Sequence, residues 1–242
     1  ARYLAGGQSL VQAMKLRLSQ SERLIDLGGA ADLAGISVEG NTVKVGATTK
    51  HANVAASADV IKAIPALAEL AGGIGDQMVR NMGTLGGSIA NADPAACYPA
   101  AVLGLGATVH TNKRSIAADS YFTGMFETAL QTGELITAVS FPVPTRAAYI
   151  KFKQPASRFA LVGVFVAQTA AGVRVAVTGV KSSVFRATAI EAALNASFTP
   201  AAAQAVKLGT DGVNGDMHGS AEYRAAMVSV MAGRAVAAAL AR

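Results

Sequence analysis

Two pairs of adjacent glycines are the most chemically suggestive feature of this sequence, because small polar residues flank both of them. Gly6–Gly7 lies in YLAGGQSL, and Gly86–Gly87 lies far downstream in MGTLGGSIANADPAAC. Adjacent glycines let backbone N–H groups converge on an anion with no side chain in the way. A diphosphate is long enough to be held by two such loops from opposite sides. We therefore predict two anion-binding loops, with tight turns that hold no ligand as the alternative. Further donors at their rims are the side chains of Gln8, Ser9, Thr84 and Ser88.

Several other kinds of site are excluded or disfavoured. Neither glycine pair matches GxxxxGK(S/T), and no GxGxxG opens a helix after a strand. Cys97 is the only cysteine, so the chain cannot hold an iron–sulfur cluster by itself, which takes about four thiolates. The histidines are far apart, and we predict no metal site. The net charge is +6, but the basic residues are scattered and tryptophan is absent, so we predict no nucleic-acid partner.

The composition is that of a globular chain, with 52% hydrophobic and 15% charged residues. No apolar run predicts a membrane span, and no signal peptide is visible. TVKVGATT alternates as a strand does, and HANVAASADVIKAIPALAELAGGIG predicts helix on both sides of Pro65. PAAVLGLGATVHTN predicts a helix followed by a strand, and SIAADSYFTG a loop. ELITAVSFPVP predicts a strand closed by Pro142 and Pro144.

The pattern changes after Pro144. AAYIKFKQ, ALVGVFVAQT and GVRVAVTGV predict a small antiparallel sheet of three strands. SVFRATAIEAALN, TPAAAQAVKLG and SAEYRAAMVSVMAGRAVAAALA predict three helices, the last capped by Ser220. We predict an α+β chain of two domains, 1–144 and 145–242. Because ARYLAGG runs directly into a strand and a glycine turn, we also expect an N-terminal part of the first domain to be missing.

The two glycine segments carry a family resemblance. YLAGGQSLVQAMKLRLSQSERLIDL, followed by MVRNMGTLGGSIANADPAACYPA, resembles the flavin-binding medium subunits of molybdenum hydroxylases, such as aerobic carbon monoxide dehydrogenase and xanthine dehydrogenase. GELITAVSFPVP, YIKFKQPASRFALVG and EYRAAMVSVMAGRAV follow in the family's order. The resemblance implies an FAD-binding domain of two α/β subdomains, of the vanillyl-alcohol-oxidase type. A three-stranded antiparallel sheet with a helical bundle would follow it.

The resemblance also implies a set of cofactor-binding residues. The FAD pyrophosphate and ribityl chain would be wrapped by Leu4, Ala5, Gly6, Gly7, Gln8, Ser9 and Leu10 and by Thr84, Leu85, Gly86, Gly87 and Ser88. Asn91 and Asp93 would lie beside the ribityl chain or the ring. Ile136 would offer backbone contacts or packing near the ring. Lys153 would approach the flavin, where a cation favours the anionic reduced form; a surface lysine is the alternative. Ile74 completes the implied set.

Two residues of this set depart from the family's pattern. Cys97 stands where the family commonly has an aspartate, and is either a small buried filler or a thiol close to the flavin. Phe159 stands where some relatives have a tyrosine over the flavin face. A phenyl ring can still stack there, but it lacks the hydroxyl hydrogen bond; packing in the core is the alternative.

The implied function is that of an electron-transfer subunit. A partner's molybdenum–pterin centre would hydroxylate substrate, and electrons would pass through a partner's 2Fe–2S clusters to FAD and then to an external acceptor. The resemblance implies a large and a small partner subunit, a dimer of heterotrimers and a cytoplasmic location, and it leaves open contact with the inner face of the membrane through an electron acceptor. We assign no catalytic side chain, since the redox chemistry is the cofactor's. The alternatives are a stand-alone FAD-dependent oxidase or reductase and a non-redox nucleotide-binding scaffold.

Overall fold

The chain begins with a small unit that presents the first glycine pair. The computed structural model describes residues 1–242. Strand β1 (Arg2–Leu4) pairs in parallel with β2 (Leu24–Asp26), and helix α1 (Leu10–Lys15) lies in the connection between them. The first glycine pair therefore occupies the turn from β1 into α1.

A five-stranded antiparallel sheet forms the next unit. Its strands are β3 (Ile36–Glu39), β4 (Thr42–Gly46), β5 (Thr108–Thr111), β6 (Ser115–Ala117) and β9 (Ile136–Pro142), and their spatial order is β3-β4-β9-β5-β6. A separate hairpin pairs β7 (Phe122–Gly124) with β8 (Glu127–Thr128). The central position of β9 confirms the strand predicted over ELITAVSFPVP.

Six short helices connect β4 to β5. They are α2 (His51–Ala56), α3 (Ala58–Ala63), α4 (Pro65–Gly72), α5 (Gln77–Met82), α6 (Leu85–Asn91) and α7 (Tyr98–Gly104). Pro65 is the first residue of α4, where its missing N–H group costs no helical hydrogen bond. This position explains why helix lies on both sides of the proline. The second glycine pair falls in the first turn of α6.

The C-terminal part is a second antiparallel sheet with helices. The sheet joins β10 (Arg146–Lys153), β11 (Ala160–Thr169), β12 (Gly172–Thr178) and β13 (Phe185–Arg186) in sequence order. Helices α8 (Thr188–Ala196), α9 (Pro200–Ala205) and α10 (Ala221–Leu240) follow. The Ser220 hydroxyl accepts a hydrogen bond from the N–H group of Tyr223 at 3.2 Å, which confirms the predicted cap.

Two details of the predicted elements were wrong. The C-terminal sheet has four strands rather than three, because Phe185 and Arg186 pair with β12 instead of starting α8. The segment SIAADSYFTG is not a loop, since it holds β6, a turn of 3₁₀ helix (Ala118–Ser120) and β7. Its order comes from burial of Ile116 and Tyr121, a tertiary effect that so short a stretch does not reveal.

Two hydrophobic cores support these layers, and they meet along the C-terminal sheet. The larger core lies between the five-stranded sheet and its helices, and Tyr149 and Phe165 extend into it from β10 and β11. The smaller core lies between the C-terminal sheet and α8, α9 and α10. None of the helices combines the length and the apolar character that a membrane crossing requires.

Candidate functional site

The first glycine loop presents a row of free backbone donors. Gly7 has a φ of +70°, a left-handed conformation that favours glycine. The N–H groups of the five residues from Gly6 to Leu10 donate no hydrogen bond to the rest of the chain. Because neighbouring peptide N–H groups without internal partners form a concave anion site, this turn matches the predicted anion-binding loop.

The two glycine segments lie against each other in space. A β-carbon on Gly6 would overlap the carbonyl oxygen of Met82 and lie 2.9 Å from Cα of Gly83. The approach of these two backbones therefore requires glycine at position 6. Thr84, the N-cap of α6, follows directly after this contact. Loops far apart in the sequence thus form one continuous surface.

The second glycine pair does not offer the free N–H groups that we predicted. Gly86 donates to the carbonyl of Ala47 at 2.8 Å, and Gly87 donates to the hydroxyl of Thr84 at 3.2 Å. Leu85 and Ser88 also donate within the chain, to Thr49 and Thr84 respectively. The prediction of a second N–H nest was wrong, since these donors are used to anchor α6. Of the polar side chains here, the Ser88 hydroxyl makes no hydrogen bond within the chain.

Gly86 is instead required by close packing. Its β-carbon would lie 2.6 Å from Cβ of Ala47 and 2.8 Å from the Ala47 carbonyl oxygen. Ala47 in turn donates to the carbonyl of Thr137 at 2.9 Å, which connects α6 to the start of β9. Ile136 precedes Thr137, and its side chain is buried in the larger core. Only the backbone of Ile136 is therefore available for contact with a cofactor.

A buried histidine, His51, packs against Gly83, on the segment where the two loops meet. A β-carbon on Gly83 would lie 2.6 Å from Nε2 of His51, and the His51 N–H group donates to the Gly83 carbonyl at 3.0 Å. Burial, aided by the charge of Arg80, lowers the pKa of His51 from 6.5 to about 4. His51 is therefore neutral near neutral pH. This role could not be predicted from the sequence, because an isolated histidine has no local signal for burial.

Asn91 and Asp93 lie just beyond the second loop, at the end of α6. Asp93 is partly buried, and burial raises the pKa of its carboxyl group, although a hydrogen bond from the N–H group of Ala95 at 2.8 Å opposes that effect. Asn91 is partly buried as well, and its side chain makes no hydrogen bond within the chain. Between them, Ala92 adopts a left-handed φ of 47°. This left-handed residue is the C-cap of α6, and Asp93 follows it outside the helix.

The buried thiol of Cys97 marks the far end of the candidate site. It lies 3.4 Å from the ammonium nitrogen of Lys151, a residue that sequence analysis did not select. Lys153, which it did select, is exposed, and its side chain forms no hydrogen bond. Side chains two residues apart on a strand lie on the same face, so Lys151 and Lys153 share a face of β10. The sequence alone therefore does not indicate which of the two lysines contacts Cys97.

Three cations converge on the Gly73–Gly75 turn, which carries Ile74. Lys151 donates to the carbonyl of Gly73 at 2.8 Å, Arg80 to that of Ile74 at 3.0 Å, and Arg158 to that of Gly75 at 3.1 Å. These carbonyls lie at the C-terminal end of α4, where positive charge is favourable. Phe159 follows Arg158 and is 48% exposed, so it is not a core residue.

The donors and shape of this surface fit FAD. The free N–H groups of the first loop suit a diphosphate, and the glycine contact brings the segment from Thr84 to Asp93 beside it. Partly buried polar side chains at Asn91 and Asp93 suit a polyhydroxylated chain. An exposed phenyl ring at Phe159 and the ammonium group of Lys151 beside Cys97 suit the flat ring of a flavin. The residues present are therefore compatible with the cofactor.

Comparison with known proteins gives the same result. Residues 1–144 match the family model described as the FAD binding domain in molybdopterin dehydrogenase. The carbon monoxide dehydrogenase medium chain of Hydrogenophaga pseudoflava is 35% identical over 260 residues, covering 100% of this chain and 90% of that protein. The nicotine 6-hydroxylase medium subunit of Paenarthrobacter nicotinovorans is 34% identical over 256 residues, with coverages of 100% and 90%.

The fold agrees with a solved structure over nearly the whole chain. Carbon monoxide dehydrogenase from Hydrogenophaga pseudoflava superposes with a TM-score of 0.88 and 36% identity, covering 99% of this chain and 89% of that one. The structural similarity therefore extends past residue 144, where the family model ends, into the C-terminal sheet and helices. This chain belongs to the family of FAD-binding medium subunits of molybdenum hydroxylases.

Proposed function

We propose that this chain is the electron-transfer subunit of a molybdenum-containing dehydrogenase and carries FAD on the surface formed by its two glycine segments. The observation that carries the proposal is the row of unbonded N–H groups from Gly6 to Leu10, packed against Met82 and Gly83. Bound FAD would supply the redox chemistry, accepting electrons from a partner's iron–sulfur cluster and releasing them to an external acceptor.

The chain's own residues bind and orient the cofactor. The N–H groups of the first loop hold the diphosphate, and Thr84, Ser88, Asn91 and Asp93 line the path that we assign to the ribityl chain. Ile74, Cys97 and Phe159 surround the end that we assign to the ring, with Lys153 nearby. Ile136 adjoins the same surface, because the carbonyl of its neighbour Thr137 accepts a hydrogen bond from the N–H group of Ala47. No side chain is needed to move a proton or attack a substrate.

The partners follow from the family. Several similar proteins are named as medium chains or medium subunits, which supports a large molybdenum–pterin subunit and a small iron–sulfur subunit beside this chain. The lone cysteine agrees, since a cluster must come from another chain. We further propose a dimer of heterotrimers in the cytoplasm. We also propose that the cofactor-binding domain ends at Pro144, the last residue of the family match.

FAD titration of the purified chain tests this proposal. We expect stoichiometric binding, with a structured flavin absorption spectrum and a change in flavin fluorescence. In the complex with both partners, reduction of the small subunit's clusters should bleach the flavin absorbance. Failure to bind FAD even in that complex would favour the nucleotide-binding scaffold, and substrate oxidation by the isolated chain would favour a stand-alone oxidase.

A further inference from the structure

Lys151 joins three separate segments of the chain through one ammonium group. Its nitrogen donates to the carbonyl of Gly73 at 2.8 Å, to the carbonyl of Arg158 at 2.9 Å and to Sγ of Cys97 at 3.4 Å. An ammonium group has three N–H donors, so each donor of Lys151 has one acceptor. This group is therefore fully engaged and held in one place.

The three acceptors come from both sides of the proposed cofactor site. Gly73 ends the α4 region and precedes Ile74, while Cys97 precedes α7, so both belong to the segment before Pro144. Arg158 lies in the connection from β10 to β11 and precedes Phe159. The lysine thus fixes the spacing between two walls of the site, one from each part of the chain.

The guanidinium of Arg158 strengthens this connection. It donates to the Gly75 carbonyl at 3.1 Å, while the backbone carbonyl of the same residue accepts from Lys151. Arg158 has a left-handed φ of 62°, which is uncommon outside glycine. Such a conformation persists where surrounding contacts hold it, and here Lys151 and Gly75 provide them.

The charge of Lys151 is not neutralised by a carboxylate. Its acceptors are two carbonyl oxygens and a thiol, and it forms no salt bridge. The side chain is partly buried, so water screens its charge less than that of an exposed lysine. A positive charge in this place favours negative charge on a neighbouring group.

We propose that Lys151 is a positioning residue that holds the Gly73–Gly75 turn and the Arg158–Phe159 segment together at the flavin-ring end, and that its charge favours the reduced cofactor. The ring's location rests on the proposed function. The connection between the two segments does not, since it consists of hydrogen bonds within this chain. The two parts of the inference can therefore be tested separately.

The test compares Lys151→Met, which keeps an unbranched side chain one atom shorter and removes the donors and the charge, with Lys151→Arg, which keeps the charge. Lys207→Met is the matched control, because Lys207 is exposed and makes no hydrogen bond. Lys151→Gln replaces the methionine variant if that variant does not fold. The measurements are amide hydrogen exchange in the FAD-free chain, the FAD dissociation constant and the flavin midpoint potential.

We expect faster exchange in Lys151→Met at residues 73–76 and 154–159, and an FAD dissociation constant raised at least about tenfold. Its midpoint potential should become more negative, because loss of a positive charge disfavours the reduced flavin. Lys151→Arg should keep a midpoint potential close to that of the unaltered chain. Lys207→Met should match the unaltered chain in every measurement.

Unchanged exchange in Lys151→Met would overturn the positioning role. Faster exchange in Lys151→Met with an unchanged midpoint potential would overturn the electrostatic role. The same role would be overturned if the midpoint potential fell as far in Lys151→Arg as in Lys151→Met. If the unaltered chain binds no FAD, the proposed function fails, and the exchange measurement alone decides whether Lys151 joins the two segments.

Discussion

Single glycines decide how closely the two loops of this site approach each other. Gly6 touches the backbone at Met82 and Gly83, and Gly83 in turn packs on the ring of His51. Each contact would be too short if a β-carbon were present. Gly6, Gly83 and His51 are stacked in this order, from the exposed first loop to the buried histidine ring. A larger side chain at either glycine would therefore displace the residue packed against it.

Replacement of Gly6 by alanine should separate the loops. We expect Gly6→Ala to raise the FAD dissociation constant at least about tenfold, or about 1.4 kcal/mol, because the methyl group overlaps the Met82 carbonyl. Gly29→Ala is the control, since a β-carbon there meets no atom within 4 Å. Equal affinities in titrations of the two variants would contradict this account of Gly6.

The buried His51 predicts a pH dependence of stability. Its pKa falls from 6.5 to about 4 on folding, so between these values the unfolded chain binds more protons than the folded one. The free energy of unfolding is therefore highest above about pH 6.5 and decreases as the pH falls. By pH 4 the decrease due to His51 is about 3 kcal/mol. Denaturant unfolding at several pH values measures this slope.

Two histidine variants isolate the contribution of His51 to this pH dependence. His51→Gln removes the titrating ring, and its stability should depend less steeply on pH between 6.5 and 4. His218→Gln, which alters an exposed histidine, should keep the slope of the unaltered chain. An identical slope in all three proteins would show that His51 does not titrate as described.

At the scale of elements, α6 is fixed by its N-terminal turn. The N–H groups of Leu85 and Gly86 donate to Thr49 and Ala47, so the loop after β4 anchors the helix and aligns it with β9. The position of the glycine pair could be predicted from the sequence, but the acceptors of the N–H groups in this turn could not. Two of the acceptors, the carbonyls of Ala47 and Thr49, lie about forty residues away in the sequence, and only the folded chain brings them near.

Alanine at the two glycines of α6 should therefore affect stability to different extents. Gly86→Ala places a methyl group against the backbone of Ala47 and should destabilise the chain by about 1–3 kcal/mol. Gly87→Ala meets only the Thr84 hydroxyl and should change stability by less than about 1 kcal/mol. Denaturant midpoints compare the two, and equal losses would contradict the packing role of Gly86.

Other elements show where sequence patterns succeed. The β9 strand, the helices around Pro65 and the Ser220 cap have strong local signals, namely alternation, proline at a helix start and a capping hydroxyl. The β6 and β13 strands lack such signals, because each is short and is ordered by its partner strand. Lys151 was missed for a related reason, since its role depends on Gly73 and Cys97.

At the scale of the whole molecule, the two parts of the chain share a core and are joined by ionic contacts. Tyr149 and Phe165 from the C-terminal sheet lie in the larger core. Arg174 on β12 donates to the carbonyl of Leu103 at 3.0 Å and pairs with Asp119 at 2.6 Å. The family match ends at Pro144, but the packing continues across that point.

We therefore expect the chain to unfold in one cooperative transition. A fragment of residues 1–144 should lose cooperativity, because it exposes the core surface that Tyr149 and Phe165 cover. Circular dichroism during thermal unfolding makes this comparison. A fragment that unfolds as sharply as the whole chain, at a similar temperature, would show that the first domain is independent of the second.

The central claim is that the first glycine loop holds the diphosphate of FAD. An experimental structure of the FAD-loaded chain tests it most directly. The account predicts diphosphate oxygens about 2.7–3.2 Å from N–H groups of the loop from Gly6 to Leu10, with Met82 and Gly83 still packed against Gly6. A diphosphate bound elsewhere, with those N–H groups facing only solvent, would contradict it.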